Sequence, residues 1–242
     1  MYKNFKEFLN ERDAYLNEAR KSSSSGAKYK PKTYRELKEL VNDKNINLGD
    51  IDTSKITDMS WLFYESYRNN FSGIENWDVS NVTDMKNMFK ECYYFNEPIG
   101  NWDVSKVTNM SGLFWSCRRF NQPLDKWDVS KVTNMSSMFE RCDKFNQPLD
   151  KWNVSNVTNM SNMFSQCDIF NQPLNNWNVG KVTNISGMFE LCKKFNQPLD
   201  KWNIKNVISY AGMFLDAEAF RQDVSKWGEL NSRIDLDNLF KD

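Results

Sequence analysis

At 242 residues, with 32 basic and 32 acidic side chains, the chain carries no bulk charge to draw it to nucleic acid or to an anionic membrane. It contains no histidine, which removes the commonest general base and metal ligand at neutral pH. Aromatic residues are plentiful, with 17 Phe and 9 Trp, so the burial that stabilises the fold is expected to come from rings.

Taken in order, residues 1–21 place Tyr2, Phe5, Phe8, Leu9 and Leu16 near a 3.6-residue period among charged residues, which predicts an amphipathic helix. Phe5, Phe8, Leu9 and Leu16 are its docking face, directed either at the rest of the chain or at a larger assembly attached through residues 1–25. The segment lacks the apolar core of a secretory signal, and no stretch approaches the roughly 18 apolar residues of a membrane span. The expectation is a chain that does not enter a membrane, cytoplasmic or virion-associated rather than secreted. Residues 22–32, opening on four serines and Gly26, read as a flexible linker. Residues 33–47 read as an N-terminal cap helix, with Thr33 and Glu36 at capping-box spacing ahead of the stripe Leu37, Leu40 and Val41.

From residue 48 to 227 the chain repeats. Trp77, Trp102, Trp127, Trp152, Trp177, Trp202 and Trp227 recur at a period of 25 residues, the signature of a repeat array in which each unit buries its apolar side against its neighbours. The segment Asp52–Met59 matches Asp78–Met85, so a first, variant rung lies 26 residues before the second, with an insertion between Phe63 and Phe71. Within each rung, residues such as Met160, Met163, Phe164 and Cys167 stand at i, i+3, i+4 and i+7, predicting a short helix. Trp177 and Val179 alternate with polar Asn178, predicting a short strand. The expected fold class is therefore an α/β repeat solenoid, with one short strand and one short helix per rung. Like residues stack into ladders of Phe, Trp, Val and Met, and an Asn ladder from Asn96 to Asn196 serves backbone groups of adjacent turns. Residues 228–242 form a C-terminal cap.

The run Met-Phe-x-x-Cys-x-x-Phe-Asn-Gln-Pro-Leu-x-x-Trp-[Asp/Asn]-Val-Ser-x-Val-Thr-Asn-Met, clearest from Met138 to Met160, resembles the 25-residue repeat of BspA-like leucine-rich-repeat surface proteins. That resemblance implies a right-handed leucine-rich-repeat-type coil and a role in adhesion or protein binding without catalysis.

The cysteines Cys92, Cys117, Cys142, Cys167 and Cys192 fall one per rung on one face and read as a buried ladder of small hydrophobes. Asp78, Asp103 and Asp128 line up, but Asn153 and Asn178 interrupt the row, so no calcium site is expected. No catalytic residue, metal or cofactor is called for. Function is sought where the repeat leaves residues free: Tyr93, Tyr94, Trp115, Arg118 and Arg119 on neighbouring rungs are of the types enriched in interface hot spots. The expected function is a non-enzymatic module binding a protein partner, with a glycan as the other option. The alternative is a structural component of a larger particle such as a phage virion, held by its N-terminal helix.

Overall fold

The structure, a computed structural model, describes residues 26–64, 66 and 68–241. The helix expected over 1–21, with Phe5, Phe8, Leu9 and Leu16, lies outside the described residues. Helix α1 spans Tyr34–Asn42 and helix α2 Lys226–Leu230, with 3-10 turns at Leu48–Asp50, Ile74–Asn76 and Leu236–Phe240. Helix α1 starts where the Thr33 oxygen accepts the Glu36 N–H at 3.2 Å, while the Glu36 carboxylate accepts the Lys32 N–H at 2.6 Å. It ends short of the expected residue 47 because Asp43 is extended and its carboxylate accepts the Asn45 N–H, a local bond that competes with the helix.

The linker expected over 22–32 does not extend through Tyr29. The Tyr29 N–H donates to the Asp50 carbonyl at 3.0 Å and its carbonyl accepts from Asp52 at 2.8 Å, a parallel bridge to the first rung that buries the ring. Serine-rich composition marks only the residues before it, because an aromatic ring at an uncovered end of the core gains more by burial than by solvation.

Between these ends successive units stack in parallel. Bridges join Asp58 to Asp84, Asp84 to Asn109, and onward through Asn134, Asn159 and Asn184 to Ser209. The short helix and paired strand expected in each rung are replaced by a run of turns. In the rung after Met160, the N–H groups of Met160, Asn162, Phe164 and Gln166 donate to carbonyls of the next rung at 2.8–3.0 Å. Those of Met163, Ser165 and Cys167 alternate with them and close four-residue turns at 2.9–3.2 Å. An α-helix would turn all of these bonds inward along the chain and leave the rungs unpaired. Two residues per rung take left-handed backbone to permit the alternation, here Asn162 at φ 55° and Gln166 at φ 59°. For a non-glycine residue that costs roughly 1–2 kcal/mol, offset by the bonds it frees for the neighbouring rung.

The buried side of the pile is a set of aromatic columns. Phe89, Phe114, Phe139, Phe164, Phe189 and Phe214 stack at 5.6–5.8 Å between ring centroids. Each also lies 3.9–4.1 Å from the Phe of the second column in its own rung. Polar atoms inside are matched across rungs. The Trp127 indole donates to the Ile99 carbonyl at 3.1 Å, and the other indoles from Trp77 to Trp202 repeat that bond. The Asn146 side-chain oxygen accepts the Asn171 N–H at 3.0 Å and the Gln172 amide at 3.1 Å, so the asparagine ladder joins turn to turn as the sequence predicts.

Both ends depart from the repeat. In the variant first rung, buried Arg68 donates to the carbonyls of Val41, Asp43 and Ile46, tying off the end of α1. At the other end Phe240 covers Phe214 at 5.7 Å, and Asn231 donates to the carbonyls of Ile204 and Val207. The Trp227 indole N–H, buried without a partner among the described residues, marks where α2 breaks the indole series.

Candidate functional site

The residues two and three positions after the second left-handed position of each rung lie on the surface edge, and they do not keep the 25-residue pattern. One column reads Tyr93, Arg118, Asp143, Asp168 and Lys193, and the next reads Tyr94, Arg119, Lys144, Ile169 and Lys194. Stacking makes residues 25 apart vertical neighbours, and on this edge it produces two matching pairs. The Arg118 guanidinium lies 5.7 Å from the Tyr93 ring centroid, and that of Arg119 lies 4.7 Å from Tyr94. Both arginines are exposed, as are Tyr93 and Tyr94 at 44% and 61%. Exposed pairs of this kind contribute about 0.5–1 kcal/mol each, but they hold long side chains in place and leave guanidinium N–H groups directed at solvent.

Trp115, the fifth residue of the expected patch, belongs to a different group. It is half-buried, and the Lys90 ammonium sits 3.9 Å from its ring centroid. The same ammonium lies 5.0 Å from Tyr64 and 5.3 Å from Trp61, so one lysine is enclosed by three rings from the two rungs on either side of its own. Trp61 takes φ 59°, an unusual backbone for so bulky a residue. Lys90 also approaches Glu91 at 3.9 Å. Its role was hidden in the sequence because Lys90 is one charge among many, and only the rung-to-rung register brings Trp61, Tyr64 and Trp115 around it.

Two depressions flank the tyrosine–arginine pairs. One, of about 800 Å³, is lined by buried Phe63 and Phe71 together with Tyr93, Tyr94, Arg68 and Glu91. It opens at the insertion in the first rung, where Phe71 meets Phe95 edge-on at 5.1 Å instead of stacking. The other, of about 360 Å³, is lined by Arg118, Arg141, Asp143, Gln166, Asp168 and Lys193 among others. Within it Lys193 pairs with Asp168 at 3.1 Å. Arg141 lies outside the expected patch; it occupies a left-handed position (φ 59°) one rung beyond Arg118, and only the stacking brings it to the same depression.

The cysteines and two of the turn aspartates are engaged within the fold. The cysteines are buried, and the Cys142 thiol donates to the Phe114 carbonyl at 3.1 Å. Burial pushes the Cys92 thiol up to about 12 and the other four upward as well, so they are held away from the thiolate form that attacks or binds metal. The hydroxyl groups of Ser105 and Ser130, and after them the backbone N–H groups that donate to Asp103 and Asp128, hold both carboxyls below the usual range. Among the described residues no three His, Cys, Asp or Glu side chains gather as a metal site, and no helix is long and apolar enough to cross a membrane.

The model of the family described as "Mycoplasma protein of unknown function, DUF285" matches residues 33–152 and 122–227. No curated protein and no solved structure matches the chain.

Proposed function

The chain belongs to the family of Mycoplasma proteins of unknown function, DUF285, and on that premise we propose that it is a non-enzymatic binding module. Its units form a solenoid of the BspA-like leucine-rich type, and one edge of that solenoid meets a protein partner. The observation that carries this reading is the contrast between columns. Inward positions keep the same or a similar apolar residue, whereas the exposed columns that begin at Tyr93 and Tyr94 do not, and they place arginine over aromatic side chains in register. Two Arg–Tyr cation–π pairs on one exposed edge are more than solubility requires, and Tyr and Arg are the residue types enriched in interface hot spots.

Three features support the absence of catalysis in this reading: a chain without histidine, thiols buried and held protonated, and the Asp103 and Asp128 carboxylates committed to turns. The test is affinity capture from the organism of origin with the full chain and with the Tyr94→Ala, Arg119→Ala double variant. The reading predicts a saturable partner that the variant loses while its thermal unfolding stays unchanged. Equal capture by both chains would refute it.

A further inference from the structure

Resting on that binding reading and deepening it, we infer that the partner presents an acidic peptide segment with a bulky apolar residue beside its carboxylates. The apolar residue enters the 800 Å³ cavity and the carboxylates meet Arg118 and Arg119. The geometry joins the two halves. Tyr93 and Tyr94 line the cavity and are also the rings over which the Arg118 and Arg119 guanidinium groups lie, so the arginines border the cavity through these two tyrosines.

The cavity has the volume of ligand pockets, and the buried rings of Phe63 and Phe71 suit an aromatic or branched aliphatic side chain. Among the described residues neither Arg118 nor Arg119 takes part in an ion pair. A planar guanidinium stacked on a ring offers two parallel N–H groups, which match a carboxylate bidentately.

The same edge argues against a continuous polyanion. Glu91 lies next to Tyr93, and Asp143 and Asp168 occupy the column directly beyond Arg118. A sulfated glycan or nucleic acid running along the column would meet these carboxylates. A peptide can place its charges singly and set a lysine or a polar residue against them.

The experiment is selection of a phage-displayed random octapeptide library on the immobilised full chain, followed by titration of recovered peptides against variants. The proposal predicts sequences enriched in Asp or Glu beside Phe, Leu or Trp. Their affinity should fall at least about tenfold with Arg118→Ala, Arg119→Ala, and should weaken with added salt. Arg119→Lys should restore only part of the loss, because it keeps the charge but not the fork. Thermal unfolding of each variant checks the fold, and Tyr94→Ala provides a second, independent loss of the site. Recovered peptides that depend on the arginines but carry no acid would overturn the acidic assignment and leave the binding edge standing. Heparin fragments binding through the arginines while no acidic peptide is recovered would overturn it in favour of a sulfated polymer. If no ligand depends on the arginines, both the inference and the binding edge fall.

Discussion

The interior and the variable edge of this chain use the same residue types for opposite ends. Inside, Phe139 is fully buried and stacks on Phe114 and Phe164 at 5.6 and 5.7 Å, so a ring serves by being identical to the one above and below it. On the edge, Tyr94 is 61% exposed and its vertical neighbour is Arg119 rather than another tyrosine. The interior is over-determined by repetition and tolerates little change. The edge is tied to the backbone only at Cα and is free to vary, so stability and recognition occupy separate columns of one rung.

Substitutions separate the two regions by magnitude. Phe139→Ala should cost about 3–5 kcal/mol, since it opens a cavity in the middle of a column and uncouples the rungs on either side. A denaturant titration that stays cooperative with a loss under 1 kcal/mol would break the account of the interior. Next is Gly112→Ala. Gly112 takes φ 60°, and an added Cβ would fall 1.9 Å from the Asn87 side-chain oxygen of the rung below. A loss on the order of 2 kcal/mol is expected from strain and displacement together, and the double variant with Asn87→Gly should recover the part due to the clash.

Asn146→Ala should cost about 1–3 kcal/mol by leaving the Asn171 N–H and the Gln172 amide without their acceptor. Thermal unfolding of this variant beside Asn146→Asp separates the loss of the acceptor from the loss of volume. A smaller effect concerns alkaline pH. The thiols have raised folded pKa values, so above the unfolded value near 9 the unfolded chain releases protons that the folded chain keeps. Their contribution to stability is therefore complete below pH 9 and is lost as pH rises towards 12, at about 1.4 kcal/mol per pH unit for each thiol. Cys142→Ala should flatten that slope by one thiol's share, measured by urea midpoints between pH 8 and pH 10. Last, Arg119→Ala and Tyr94→Ala should each change stability by less than about 0.5 kcal/mol, as surface substitutions do.

The interior was readable from the sequence because repetition amplifies its signal. Seven tryptophans and two phenylalanine columns at one period predict the stacking, and the asparagine series from Asn96 predicts the side-chain bonds between turns. The turn geometry was misread. Met160, Met163, Phe164 and Cys167 have helical spacing, but two consecutive turns bury the same residues as one helix would. The missed clue lay in the column Asn87, Gly112, Ser137, Asn162, Gly187 and Gly212, because glycine and asparagine readily adopt left-handed backbone. The second left-handed column, Glu91 to Asp216, carries no such signature. Of the expected binding residues, Tyr93, Tyr94, Arg118 and Arg119 come together as pairs. Trp115 departs with Lys90, because a lysine one rung away lies over its ring. The bridge of Tyr29 to the first rung was hidden for a similar reason, since it depends on what lies at the open end of the pile and not on the residues around Tyr29.

The separation of columns is tested most directly by measuring, on the Arg118→Ala, Arg119→Ala chain, both the thermal unfolding midpoint and the capture of the partner retained by the unmodified chain. The account predicts a midpoint indistinguishable from that of the unmodified chain together with loss of capture. A lowered midpoint, or capture that survives unchanged, would contradict it.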